Sequence, residues 1–166
     1  MTAIQDLVDR NMARPDAGPG SMPGRPSLRV AVVTCMDARI DPARLLGLRP
    51  GEAHVIRNAG GGVTDDVIRS LAVSQRKLGT TEVMLVHHTK CGMATFTDAE
   101  FWSDLQEVTG LRPTWAVETF SDVEADVRQS VERVRRSPFL GDTTVVRGFV
   151  VDVDTGDLAE VSPPQT

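Results

Sequence analysis

The sequence predicts an α/β protein: a central, mostly parallel β-sheet flanked by helices on both faces, preceded by a helical N-terminal arm. Two observations carry this. Short apolar, β-branched runs alternate along the chain with segments of helical period, the order that builds parallel strands joined by crossover helices. Both cysteines stand just past such runs, Cys35 after Val30–Val33 and Cys91 after Val83–Val86. Polar chemistry therefore gathers where strands end, and in open parallel sheets that is where ligands bind.

The elements follow in order. Residues 3–13 space Ile4, Leu7, Val8 and Met12 at helical intervals but have no core of their own. Residues 13–26 are rich in proline and glycine, including Pro15, Gly18, Pro19, Pro23 and Gly24, and read as an extended connector. The chain thus divides into an arm, residues 1–26, and one α/β domain, residues 27–166. Leu28–Thr34, apolar apart from Arg29, reads as a strand buried on both faces. Asp41 and Pro42 mark the N-cap and first position of a short helix that stops near Gly47.

Ala53–Arg57 is a second strand, followed by a glycine-rich loop over residues 58–62. Thr64 caps a clear amphipathic helix, with Asp65 and Asp66 in its first turn and Gly79 just past its end. Val67, Ile68, Leu71, Ala72 and Leu78 form its apolar face. Glu82–His87 is the third strand, and residues 98–108 and 122–136 read as two more helices. Val145–Val151, a turn at Asp154-Thr155-Gly156, and Leu158–Val161 close the chain with a strand and a short returning strand.

A chain of 166 residues is one domain's worth, and its 40% hydrophobic and 25% charged content is ordinary for a soluble globular protein. No apolar stretch approaches the length of a membrane span, and the N-terminus has neither the basic start nor the apolar run of a signal peptide. A cytoplasmic protein is expected. With 18 basic against 23 acidic side chains the net charge is −5, which argues against a polyanion such as nucleic acid as partner. The one basic cluster, Arg133–Arg136, shares its helix with Glu124, Asp126 and Glu132 and reads as a solvated face.

A disulfide between the two cysteines fits poorly with a reducing cytoplasm, and a buried structural thiol is the plain alternative for each one. Two cysteines at equivalent strand ends, one with His88 three positions before it, point instead to a metal. Zinc suits thiolate and imidazole donors; structural sites close four ligands, whereas catalytic sites offer three and leave a position for water. Two thiolates and two imidazoles remain formally possible, but His54 lies in another strand and reads as a core or rim histidine. His87 should face away from His88, because neighbours in a strand point to opposite faces. Cys35, His88 and Cys91 remain, with the fourth position open.

Two and four residues after Cys35 come Asp37 and Arg39. Asp37 is placed to orient a zinc-bound water, and Arg39 to hold Asp37 ionised through a bidentate pair. Released by Arg39, Asp37 would be the candidate fourth ligand of a closed site. An ordinary surface salt bridge is the bland reading of the pair.

These motifs resemble those of the β-class carbonic anhydrases. The matching pieces are Cys35-x-Asp37-x-Arg39, the loop Arg57-Asn58-Ala59-Gly60 and His88-x-x-Cys91-Gly92, spread across roughly residues 28–160. The segment Gly51–Gly60 is particularly similar to that of small actinobacterial members. The resemblance implies a β-carbonic-anhydrase-like fold, zinc on Cys35, His88 and Cys91, and Asp37 with Arg39 as catalytic dyad. It also implies reversible hydration of carbon dioxide to bicarbonate and a proton by a zinc-bound hydroxide. Gly92 would offer its amide to the substrate oxygen, and Gly60 and Val63 would help line an apolar pocket. Family members form dimers or higher homo-oligomers whose N-terminal helices embrace the neighbour, a role that suits residues 3–13. The plant-type pocket is not implied: the chain has no tyrosine, and Pro26 stands near the position of the plant-type glutamine.

Hydrolysis of carbonyl sulfide or carbon disulfide on the same site is the nearest alternative; carbon dioxide and carbonyl sulfide, both small, linear and apolar, are poorly separated by pocket shape. A non-catalytic zinc or scaffold protein is disfavoured by the intact Asp37 and Arg39. Thiol redox chemistry would want a Cys-x-x-Cys pair, and nucleotide binding at Gly60–Gly62 lacks the dinucleotide spacing.

Overall fold

The computed structural model describes residues 2–14, 18, 20–141 and 145–162; Pro15 and Pro19 of the connector lie outside the described residues. Among the described residues five strands form one sheet: β1 (Val30–Cys35), β2 (Ala53–Asn58), β3 (Glu82–His88), β4 (Val145–Val151) and β5 (Leu158–Glu160), in the order β2-β1-β3-β4-β5. The pairs β1–β2, β1–β3 and β3–β4 are parallel, and only the edge pair β4–β5 is antiparallel.

The helices are α1 (Ala3–Met12), α2 (Pro42–Leu46), α3 (Asp65–Leu78), α4 (Asp98–Thr109) and α5 (Val123–Arg135). The ends of α2 and α3 follow the predicted caps. Asp41, Thr64 and Asp122 accept hydrogen bonds from the first free backbone amides of α2, α3 and α5, and Gly47 and Gly79 end α2 and α3 in the left-handed conformation. Among the described residues no helix is long and apolar enough to cross a membrane.

Alternation along the strands divides the core in two. Ala31, Val33, Val83, Leu85 and Val146 meet Val67 and Leu71 of α3 and Val127, Val131 and Val134 of α5 on one face. Val32, Val86 and Val151 face the other way, against Ile40 and the α2 residues Leu45 and Leu46. Sandwiched strands explain the near-continuous apolar run of β1, buried from Ala31 to Cys35.

The sheet departs from expectation at its first strand. The first strand begins at Val30 rather than Leu28, because Arg29 takes a positive φ of 55° and turns its carbonyl to the amides of Thr81 and Glu82. The basic run on α5 is paired: Arg135 and Arg136 reach Glu132, while Arg133 bridges Asp65 and Glu118. Helix α1 buries none of its residues, leaving Ile4, Leu7 and Met12 largely exposed. The end of the connector is fastened to the domain, since His54 Nε2–H donates to the Gly24 carbonyl at 3.0 Å. Its Nδ1 lies 2.7 Å from Ser74 Oγ, which in turn meets Thr80 Oγ1 at 2.7 Å, so this histidine is occupied structurally.

Candidate metal centre

The three donors come together because three parallel strands end in register. Cys35 is the last residue of β1, opposite Asn58 at the end of β2, and His88 is the last of β3. Between His88 and Cys91 the chain reverses at Lys90, whose φ is 54°. The reversal is tied to β4: Thr89 donates its amide to the Val151 carbonyl at 3.0 Å, and its hydroxyl accepts from the Val153 amide at 3.0 Å. Cys91 then swings back beneath the strand ends. The Gly61 backbone presses against the end of β1: at its φ of 75°, a Cβ there would lie 3.1 Å from the Cys35 nitrogen.

The ligand atoms of Cys35, His88 and Cys91 all lie within 4.8 Å of one another, and all three residues are buried. His88 Nδ1 lies 2.9 Å from the Thr89 carbonyl, so Nδ1 carries the proton and Nε2 is left with a lone pair. That Nε2 is buried with no hydrogen-bond partner. The two sulfurs are 3.9 Å apart. Hydrogen bonding from Cys91 lowers the Cys35 pKa against the upward pull of burial, while the same contact, together with burial, pushes Cys91 up. Left to themselves the sulfurs favour one negative charge; two thiolates this close require a cation. An orphaned imidazole nitrogen facing two such sulfurs fits a thiophilic divalent ion.

Beside the donors, Asp37 is held on three hydrogen bonds from one residue. Its Oδ1 accepts from the Arg39 amide and Nε, both at 2.9 Å, and its Oδ2 accepts from Arg39 Nη2 at 2.7 Å. These bonds hold the Asp37 carboxyl well below the usual carboxylate range. Arg39 is anchored in turn by donating Nη2 to the Lys90 carbonyl at 3.0 Å. Asp37 Oδ2 stands 3.8 Å from His88 Nε2, at the edge of the donor cluster.

Of the other residues singled out from sequence, Gly60 is buried under Met93 and Phe120, 3.2 Å and 3.6 Å from where its Cβ would be. Gly92 is exposed, with open space at its Cβ position. Val63 packs in the main core with Val33 and Val67 rather than among the residues around the two thiols. His87 points to the opposite face, its Nδ1 2.9 Å from the Asp126 carboxylate of α5.

Sequence reasoning assigned no role to Arg57, although it lies inside a motif. Its Nε donates to the Cys35 carbonyl at 2.9 Å and its Nη2 to the Asp37 carbonyl at 2.8 Å, clamping the turn that carries both residues. An arginine next to the end of a short strand, just before the glycine-rich loop, is the signal that could have found it. Met93, Val117 and Phe120, which pack on the two thiols, left no local signal.

Fold and donor set together define an α/β protein with a buried cluster of three donors, able to hold a metal ion, at the carboxyl edge of its sheet. A family model described as carbonic anhydrase matches residues 30–158. The chain is 54% identical over 163 residues to Beta-carbonic anhydrase 1 of Mycobacterium tuberculosis, covering 98% of this chain and all of that one. It belongs to the β-carbonic anhydrase family. The crystal structure of carbonic anhydrase from Streptococcus mutans superposes with a TM-score of 0.91 at 41% identity, covering 98% of this chain and 99% of that one. A carbon disulfide hydrolase of Acidithiobacillus thiooxidans is 33% identical over 151 residues, covering 78% of this chain and 75% of that one.

Proposed function

We propose that this chain is a zinc-dependent carbonic anhydrase that interconverts carbon dioxide with bicarbonate and a proton. The observation that carries the reading is the convergence of Cys35, His88 and Cys91 beside a carboxylate pinned by Arg39. Cys35, His88 and Cys91 would hold the ion. When bound, zinc supplies the Lewis acidity that makes water nucleophilic near neutral pH.

The protein's part is orientation and charge. Asp37, kept ionised by Arg39, is an acceptor only, so it would fix a neighbouring water by accepting one of its hydrogens and so turn an oxygen lone pair toward substrate. Arg39 does a second job: to move onto the metal as a fourth ligand, Asp37 would have to leave the bidentate pair and the amide bond together. That restraint favours an open site. Exposed Gly92 leaves room for substrate beside Cys91, and the apolar side chains of Met93, Val117 and Phe120 suit a nonpolar gas.

Carbon disulfide hydrolysis is the second reading, favoured by the hydrolase relative at 33% identity. The exposed apolar stripe of α1 supports a homodimer or larger homo-oligomer in which that helix packs on the neighbouring copy, a state sedimentation velocity would measure. Free, unpaired cysteines suit the cytoplasm.

The test is stopped-flow hydration of carbon dioxide by the zinc-loaded protein and by Asp37→Asn. The variant is expected to keep its zinc and lose about 100-fold or more in rate at neutral pH. A zinc-replete wild-type protein with no hydration activity overturns the reading, and an unimpaired variant removes Asp37 from the mechanism.

A further inference from the structure

Between β3 and α5 the chain makes an excursion that carries α4, a helix with no buried residue. Its return limb, residues 117–120, comes back over the donor cluster. Val117 and Phe120 pack with Met93 against Cys35 and Cys91, and Phe120 donates its amide to the Met93 carbonyl at 3.4 Å. A cavity of about 400 Å³ opens along this wall, lined in part by Asn58, Ala59, Met93, Trp115 and Val117. Cys35, His88 and Cys91 do not line that cavity; the limb meets the donor cluster through Val117 and Phe120, which pack with Met93 around the two thiols.

Two charged side chains outside the donor cluster hold the limb in place. Asp98, the first residue of α4, accepts from the Thr119 amide at 2.9 Å, from the Val117 amide at 3.3 Å and from the Thr119 hydroxyl. Arg133 of α5 donates to Glu118 at 2.7 Å and to Asp65 of α3 at 3.0 Å. Glu118 needs such a hold, because its φ of 63° is a conformation that side-chain-bearing residues seldom adopt. Its Cβ also abuts Gly62, 3.5 Å from where a Cβ would stand. The wall is thus fastened from α4 on one side and from α5 and α3 on the other.

We propose that Asp98 and Arg133 are positioning residues that set the width of the substrate pocket, and with it the preference for carbon dioxide over the bulkier carbon disulfide. They act through the 117–120 limb, which they press onto Met93 and Gly60. The proposal rests on the carbonic anhydrase reading. Sulfur is larger than oxygen, so a wall free to retreat admits carbon disulfide more readily and holds carbon dioxide less well. Both residues are only partly buried and belong to none of the core clusters, so releasing either should loosen the wall and leave the sheet and the metal ligands in place.

The experiment compares wild type with Asp98→Ala, Arg133→Ala and the conservative Arg133→Lys, each zinc-loaded. Readouts are zinc stoichiometry, steady-state constants for both substrates, and hydrogen exchange at the Val117 and Thr119 amides. In the alanine variants zinc content should be unchanged, kcat for carbon dioxide within about twofold, and KM raised about threefold or more. The carbon disulfide to carbon dioxide ratio of kcat/KM should rise about fivefold or more, with Arg133→Lys in between. Exchange at Val117 and Thr119 should quicken in Asp98→Ala. Faster exchange with unchanged KM and substrate ratio would overturn the proposal, as would kcat falling in step with zinc loss. If wild type turns over neither substrate, the functional reading falls and the pocket role falls with it. The exchange data then decide separately whether Asp98 holds the limb.

Discussion

Replacing Arg57 by alanine removes two charge-assisted hydrogen bonds at once, to the carbonyls of Cys35 and Asp37. A hydrogen bond from a charged donor contributes roughly 1.5–3 kcal/mol. The Cys35 carbonyl sits in a part-buried setting, whereas the Asp37 carbonyl is exposed enough for water to replace its lost partner. Counting the first nearly in full and discounting the second gives about 2–3 kcal/mol for the pair. Both bonds act on one short turn, the one that aims the Cys35 sulfur and the Asp37 carboxylate. If half of that energy goes into holding the turn in its metal-binding shape, zinc affinity falls by about tenfold, the equivalent of about 1.4 kcal/mol. The assay is chelator competition for zinc, run beside stopped-flow hydration at saturating zinc. Arg57→Lys should be intermediate, since an ammonium on a flexible stem cannot span two carbonyls as a guanidinium fork does. A variant that melts lower yet keeps wild-type zinc affinity and wild-type rate would refute the reasoning and reduce Arg57 to a contributor to stability.

Cys91→Ser should purify without stoichiometric zinc by metal analysis, and adding zinc should raise its melting temperature far less than that of metal-stripped wild type, because binding to the folded state is stabilisation. For Asp98, burial pushes the carboxyl pKa up, but the bonds from Thr119 and Val117 outweigh it and the net shift is down. A depressed folded pKa adds stability above the unfolded value, near about 3.9, and that stability disappears as pH falls through the folded value. The stability gap between wild type and Asp98→Asn in urea titrations should therefore be constant near neutral pH and shrink in acid; a gap that widens in acid would contradict the assignment. Gly148→Ala places a Cβ 2.3 Å from Val127 Cγ1 and 2.9 Å from Val131 Cγ2, where β4 meets α5. Overpacking of this kind costs about 1–3 kcal/mol, a drop in melting temperature of several degrees that calorimetry would register.

Much of the molecule was legible because its signals are local. Caps at Asp41 and Thr64, glycines at Gly47 and Gly79, and apolar runs of strand length each follow from a few adjacent residues. The donor set was legible because Cys35 and His88 end such runs, Cys91 follows three residues on, and parallel strands bring their ends together. Asp37 and Arg39 could be paired on paper because only one residue, Ala38, separates them. The limits were equally physical. Arg29 looks like a strand interruption in sequence, yet its positive φ depends on partners at Thr81 and Glu82. Val63 follows a glycine motif associated with the pocket, but only packing places it under α3. Arg133 reads as one of a basic run until Glu118 and Asp65 are found around it.

The sequence by itself determined the order of strands and helices, the sheet edge at which chemistry would occur, and the identities of the candidate ligands and their carboxylate neighbour. These depend on hydrophobic period, capping and residue type, all readable over a few positions. Only the tertiary structure decided that Arg57 clamps the Cys35–Asp37 turn, that Arg39 is anchored on Lys90, and that Asp98 and Arg133 fasten a wall from a distant segment. Those contacts join residues up to 51 positions apart, and such pairings exist only once the core has closed and brought the strand ends and the α4 excursion to one place.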